Sequence, residues 1–453
     1  MDLLAPRRND ATRVATQAQC APGEAGTSAG INIAPGSEDD GWTVPEPVQL
    51  DDGTRVQLYK DGEALHAAYR AIEEARRRIC LEVYIFASDD TGCAFADLLC
   101  RKAIEGLKVY VIYDSFGSIG SDNEMFYRMR RSGVTLAEFH PLSPWDCQHS
   151  WRPFNRDHRK LLLIDDDIAG LGGLNVGREY AGSWVVGNGS EGLAGGLLGS
   201  GAGARNVGSD SEKPGQPQAC DFWRDNAIGL QGPSSRYFLR SFARTWHYVN
   251  HGGRLRTAQF DYNLDSIRGN SAARELAVLA STPTRNSPLR PLLHSLLEGA
   301  KKSIQMTMAY FAPDDDLINA LCRAAKRGVT VQLMLPARTD VHLLTIAARS
   351  FYEKLMSAGV EVYERQIVVL HAKTMTIDGR ITMIGSTNLD YRSIEYNLEL
   401  SAIIRSEEFG RQMGTLFRND VNYAKRINLK EWRKRTLTDR FVQWTVSRAR
   451  YLL

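Results

Sequence analysis

One long, gapped pattern occurs twice in this chain, and it restricts the possible folds more than any other feature. His158-Arg159-Lys160 followed by Asp165, and His371-Ala372-Lys373 followed by Asp378, share a single spacing. At a common distance downstream, each copy has a small-residue turn ending in Asn: Gly172-Gly173-Leu174-Asn175 and Gly385-Ser386-Thr387-Asn388. A lone His-x-Lys arises often by chance; the whole pattern twice in one chain does not. Upstream, Ile79 to Asp90 aligns without a gap on Ile304 to Asp315. After a small change of offset, Gly106-Leu107-Lys108-Val109 falls on Gly328-Val329-Thr330-Val331.

Each copy reads as strand, helix, strand, further helix and then the His-Lys strand. This alternation predicts an α/β unit with both sheet faces covered. The repeat is far longer than a solenoid period, which argues for two fused copies of one domain rather than an array. Side chains alternate along a strand, so His158 and Lys160 share a face, as do His371 and Lys373. Asp165 and Asp378 stand an odd number of positions further on, and this parity predicts that they end the strand and hold its turn. If the copies pack face to face, two histidines, two lysines and two asparagines converge on one pocket. Such a pocket suits a phosphate diester: one His attacks phosphorus while the other protonates the leaving oxygen. The lysines and asparagines would stabilise charge on the equatorial oxygens. Because the lysines supply the positive charge, neither a metal nor a cofactor is expected. The competing view makes each His a packed core residue, and it is weakened by the neighbouring Lys, a residue almost never buried without a partner.

These residues resemble the phospholipase D superfamily, whose signature is the doubled His-Lys-Asp motif, and within it the bacterial cardiolipin synthases. The likeness to that branch is carried by Ala309-Tyr310-Phe311-Ala312-Pro313-Asp314, Gly172 to Tyr180, Trp223-Arg224-Asp225 and Gly385 to Ser393. It implies two fused phospholipase D-like α/β sandwich domains with pseudo-two-fold symmetry and one shared active site. The implied catalytic set is His158, Lys160, Asp165, His371, Lys373 and Asp378, with Asn175 and Asn388 binding the substrate phosphate. An acid would orient each catalytic His: Glu399 in the second copy, with Asp225 as its first-copy counterpart. The implied reaction is phosphatidyl transfer. His158 attacks phosphatidylglycerol, glycerol leaves with a proton from His371, and the headgroup alcohol of a second lipid takes the phosphatidyl group. Hydrolysis through the same phosphohistidine, by a phospholipase D or a nuclease, is the alternative. A catalytically decayed membrane-surface scaffold is a further one, and the intact His, Lys and Asn of both copies count against it.

Composition divides the chain. Residues 1–45 are poor in aromatics and lack periodicity, which predicts a disordered tail, with a first half over 46–265 and a second over 266–417. The Gly-rich stretch 187–215 reads as a flexible insertion in the first half. Seven cysteines without paired spacing argue for a reducing compartment, and Cys80, Cys100 and Cys322 read as small core residues. No run approaches the roughly 20 apolar residues a membrane-spanning helix needs, and no secretory signal is readable. The segment 418–453 carries ten Lys or Arg against three acids, +7 in a chain of net +3. Leu437, Phe441 and Trp444 recur there near helical spacing, with Trp432 upstream. That pattern suits a basic amphipathic segment on an anionic phospholipid surface, placing the protein at the periphery of the cytoplasmic face of a bacterial membrane. The bland competitor is a helix packed on the body with its charges in water. The balanced overall charge argues against nucleic acid, and no obligate protein partner is readable.

Overall fold

The computed structural model describes residues 42–143, 154–182, 222–250, 275–281 and 287–449. The expectations for the N-terminal tail (apart from its last residues) and for the stretch 187–215 lie outside the described residues.

Two eight-stranded mixed sheets follow one plan. The first runs Val48–Gln49, Arg55–Lys60, Asn226–Gln231, Ile168–Gly172, Leu161–Ile164, Arg78–Val83, Lys108–Asp114, Thr135–Phe139. The second runs Leu276–Ser281, Glu399–Arg405, Ile381–Gly385, Lys373–Ile377, Ser303–Met308, Thr330–Pro336, Glu361–Arg365, Ala424–Arg426. Setting aside the short edge strands Val48–Gln49 and Ala424–Arg426, the others correspond one to one. In each sheet the strand leading out of the His-x-Lys motif sits centrally, between an antiparallel hairpin partner and the first of three parallel strands. Leu161–Ile164 is buried at every position, as a strand covered on both faces requires.

Parallel neighbours need crossover helices, and the sequence supplies caps for them. Asp89 accepts from the Gly92 N–H at the start of Asp90–Ile104, and Asp314 from the Leu317 N–H at the start of Asp315–Lys326. These helices cover the outer face of each sheet, over Leu81, Val83 and Leu162 in the first half and Met306, Met375 and Met383 in the second. The inner faces meet in one shared core, where Leu161, Leu163, Ile228 and Leu230 pack with Ile384, Leu400, Ala402 and Ile404. Helices Ser235–Asn250 and Glu407–Asn422 close its flanks. Cys80, Cys100 and Cys322 are buried in these cores.

The expected boundary at 418 falls inside helix Glu407–Asn422, which continues without a break. Asp420 is buried and takes two bonds from Arg224, at 2.8 and 2.9 Å. Ala424–Arg426 then adds a strand to the second sheet. The chain through Arg426 therefore belongs to the body, because a buried Arg–Asp pair and a ladder strand tie it there. Beyond it, Trp432 packs on Tyr352 at 5.0 Å between ring centroids, and helix Leu437–Arg448 lies along helix His342–Ser357. Leu437, Phe441 and Trp444 nevertheless stay exposed. Packing and exposure both hold, on different residues.

Candidate active site

Each histidine is held by the half it does not belong to. The His158 N–H donates to the Leu398 carbonyl at 3.0 Å, and the Leu398 N–H to Arg156 at 2.8 Å. By the same construction the His371 N–H donates to the Arg224 carbonyl at 2.8 Å, inside the short parallel pairing of Val369–Leu370 with Trp223–Arg224. These two seams place each imidazole beside the acid that opens the other half's inner strand. His158 Nδ1 lies 3.2 and 3.3 Å from the Glu399 carboxylate oxygens, and His371 Nδ1 2.8 Å from Asp225. A proton on Nδ1 serves each carboxylate, so each Nε2 is the nitrogen available for chemistry.

The lysines complete the centre. Lys160 Nζ donates to the His158 carbonyl at 2.8 Å and stands 5.1 Å from the Tyr84 ring. Lys373 Nζ donates to the His371 carbonyl and also contacts that ring's Nδ1 at 2.7 Å. Nδ1 cannot both donate to Asp225 and accept from Lys373. We assign the donation to Asp225, because a buried carboxylate without a donor is the costlier outcome. Burial, and then the charge of Lys373, push Lys160 down to about 7. Burial pushes Lys373 down to about 8, with Asp225 and Glu399 opposing it. Burial and the two lysines likewise hold His158 well below its ordinary range and His371 down to about 4. Glu399 is raised to about 7 by burial, against the pull of Lys160 and of the Ser386 hydroxyl that donates to it.

The asparagines are fixed by equivalent backbone groups. Asn175 Oδ1 accepts from the Ile85 N–H at 3.1 Å, and Asn388 Oδ1 from the Tyr310 N–H at 3.3 Å. This orientation leaves the amide nitrogens as the donors, and that of Asn175 reaches the Tyr180 hydroxyl at 2.7 Å. Asp165 and Asp378, placed in the catalytic set by the motif, do not join the pocket. Both adopt positive φ, 52° and 54°, at the first residue of the hairpin turn after the His-Lys strand. The Asp165 carboxylate accepts from the backbone N–H groups of Arg76, Arg77 and Arg78 at 2.7–2.8 Å. That of Asp378 accepts from Lys301, Lys302 and Ser303 at 2.6–3.0 Å. They brace the turn and the start of the adjoining strand, as strand parity predicts. Both ring nitrogens of His140 are engaged, with the Asn155 carbonyl and the Tyr248 hydroxyl.

Several site residues lie within the quoted motifs but were given no role by the sequence. Arg159, the unremarked middle residue of the first motif, is buried and reaches Thr245, the Ser281 carbonyl and the Glu399 carbonyl at 2.7, 3.0 and 3.3 Å. It binds the His158 strand to the strand that carries the opposing acid. A charge at an inward strand position, where the second copy has Ala372, was the available signal. Tyr180 and Trp223 ring His371 at 5.5 and 5.1 Å between centroids, with Tyr310 at 6.2 Å. His158 has Tyr84 alone at comparable range among the described residues, at 5.1 Å.

Residues 293–421 match the family described as cardiolipin synthase, PLD-like domain. A cardiolipin synthase of Alkalihalophilus pseudofirmus is 29% identical over 401 residues, covering 88% of this chain and 72% of that protein. A probable cardiolipin synthase of Bacillus subtilis is 28% identical over 394 residues, covering 85% of this chain and 70% of its own. Among solved structures, the phosphatidylserine synthase of Haemophilus influenzae superposes with a TM-score of 0.60 at 13% identity, over 90% of this chain and 96% of that one. That likeness shows the fold. The doubled α/β architecture and the crossed His–acid pairs thus stand beside a match to a cardiolipin synthase, PLD-like domain in the second half and a likeness to curated cardiolipin synthases over most of the chain.

Proposed function

We propose that the protein is a phosphatidyltransferase of the cardiolipin synthase type. It moves a phosphatidyl group from phosphatidylglycerol to the headgroup alcohol of a second phospholipid. The observation that carries this reading is the pair of buried imidazoles, each with Nδ1 bound to an acid from the opposite half, beside two buried lysines. His158 Nε2 attacks phosphorus, the bond to the glycerol oxygen breaks, and that oxygen takes the proton from His371. The acceptor hydroxyl then gives its proton to His371 and attacks phosphorus, and the N–P bond breaks. Lys160 and Lys373, with the amides of Asn175 and Asn388, hold the non-bridging oxygens throughout.

The two acids support this division of labour. Asp225 stands closer to its histidine and favours the imidazolium, whereas Glu399 is raised to about 7 and contributes less charge to His158. The histidine better able to hold a proton is the better acid, and the other is the better nucleophile.

Among the described residues no helix is long and apolar enough to cross a membrane. We assign bilayer contact to the rim of the site. Exposed Phe116 and Ile119 follow Lys108–Asp114, and exposed Val341 and Leu343 follow Thr330–Pro336, at equivalent strand ends. Leu437, Phe441 and Trp444 add further exposed apolar side chains, and Val446 of the same helix packs on the cluster of Ala312, Leu344 and Ala347 that Tyr310, next to His371, also covers. A peripheral membrane protein docking this face would present its pocket to lipid headgroups. The test is incubation with headgroup-labelled and acyl-labelled phosphatidylglycerol in vesicles, with acid-labile phosphate trapped at early times. Cardiolipin as the acyl-labelled product supports the reading. Phosphatidic acid alone would make the protein a hydrolase.

A further inference from the structure

The two halves differ most beneath the first-half sheet. A cavity of about 380 Å³ lies between its outer face and helix Glu63–Glu74. Its walls include Ala64, Ala67, Ala68 and Ala71 from the helix and Gly170 and Gly229 from adjacent strands. The ungapped repeat alignment, in which the two helices end on Ala75 and Ala300, sets these alanines on Leu289, Leu292, Leu293 and Leu296. Strand registers set the glycines just as firmly. One row reads Gln57–Gly229–Gly170–Leu162 across the first sheet, and Ala277–Ile403–Met383–Met375 across the second. All the large second-half residues facing these small ones belong to its filled core, buried to 6% exposure or less. At six corresponding positions one half is filled and the other hollowed.

The backbone does not require these glycines. Neither adopts positive φ; a Cβ on Gly170 would meet only the Leu162 Cβ, at an ordinary 3.8 Å, whereas one on Gly229 would meet Tyr59 Cε2 at 3.1 Å. Where the second half is packed solid, the first half keeps an apolar hollow, open along one side, that has room for an occupant. Apolar cavities do not hold water well but take apolar ligands. The space follows the strands from the row of Tyr59, Ala227 and Gly172 to that of Arg55, Gln231 and Ile168. Four strand steps make this roughly 13 Å long. Lys160 lines the upper end, so the hollow begins beside a lysine of the phosphate pocket. A polar group deep between these walls would lose its hydrogen bonds; a hydrocarbon chain would not.

We propose that this cavity receives an acyl chain of the phosphatidyl donor, which makes the first half the donor half. The identity of the chain's owner rests on the transferase reading; the cavity's preference for hydrocarbon does not. The full chain should be given the second half's residues by Ala67→Leu, Ala68→Leu and Gly170→Met. Its kcat/KM for dioleoyl relative to dihexanoyl phosphatidylglycerol should fall about tenfold or more, with an unfolding temperature at or above that of the parent. Should the triple variant fail to fold, Ala68→Leu alone should lower the same ratio by about threefold. In vesicles, phosphatidylglycerol with a diazirine at its acyl terminus should label helix Glu63–Glu74 and strand Ile168–Gly172, and leave helix Leu289–Gly299 unlabelled. An unchanged ratio in a folded variant, or equal labelling of both helices, overturns the cavity assignment while leaving the transferase intact. Labelling of the first helix by a protein that never turns over phosphatidylglycerol retires the transferase reading and keeps the acyl site.

Discussion

His158 and His371 occupy equivalent positions in equivalent sheets, yet their surroundings have diverged. Beside His371 stand a short carboxylate, Asp225, and the aromatics Tyr180 and Trp223. Beside His158 stand a longer acid, Glu399, raised to about 7, and a serine that donates to it. At that serine's place the first half has Gly173, where a Cβ would come within 2.2 Å of Asp225. The symmetric scaffold brings two imidazoles to one phosphate, and the local differences give them separate tasks. The largest effect should therefore separate the two histidines. His158→Ala removes the nucleophile and should abolish turnover of every substrate, with no phosphohistidine trapped. His371→Ala should lose about 10²–10⁴-fold on a glycerol leaving group but far less on p-nitrophenol, which leaves without a proton. Trapped phosphate on position 371 in the parent would reverse the assignment.

The acids sharpen the same comparison at smaller amplitude. Asp225→Asn removes a charge that favours imidazolium at His371 and should cost about 100-fold or more in kcat. Glu399→Gln replaces a group already near half-protonated at neutral pH and should cost clearly less, on the order of tenfold. Equal losses would mean that the asymmetry of the acids does not matter.

These acids also mark the limit of what the sequence disclosed. The strand–helix order, the paired His and Lys and the turn-holding parity of Asp165 and Asp378 are local periodicities, and a pattern read by eye contains them. Pairing of each His with the acid of the other half is not local. Glu399 lies next to its own half's strand in sequence and serves the opposite imidazole in space. The role of Arg159 is not local either: its charge stands out in the motif, but its partners Thr245, Ser281 and Glu399 are distant in sequence. The boundary at 418 was misplaced because charge density changes there, whereas the helix and its buried Asp420 follow packing.

pH tests the lysines. An ammonium is charged below its pKa, so charge is lost as pH rises through about 7 for Lys160 and about 8 for Lys373. On the p-nitrophenyl substrate, whose leaving group needs no proton from His371, kcat/KM reports the lysines of the free protein and should fall on the alkaline side of that window, where an unperturbed lysine would hold it level to near 10.4. Lys160→Arg keeps the charge and should move the fall upward, whatever it costs in rate. Lys373→Met should depress activity without lowering the unfolding temperature, because the apolar stem is kept and a buried charge removed. A flat alkaline profile would indicate that the lysines are not the phosphate's counter-charge.

The smallest effect should come from the C-terminal helix. Removing residues after 418 would strip the buried Asp420 and a sheet strand, so it would test folding, not docking. Truncation after Thr436 spares both, and also Trp432 with its contact to Tyr352. It deletes Leu437, Phe441 and Trp444, which are 82, 66 and 55% exposed. Burying one such side chain in the interface contributes about 1.5–3 kcal/mol at most, and other rim residues share the contact. Vesicle affinity should thus fall about tenfold, with activity on bilayer substrate falling in step. Activity on dihexanoyl phosphatidylglycerol should stay within about twofold, because no described residue of the deleted helix touches the histidines or lysines. Phe441→Ser with Trp444→Ser should reproduce most of the loss. The helix also packs along His342–Ser357, so a truncation that cuts soluble and bilayer activity equally would assign it to holding that helix, and the aromatics would then be bystanders.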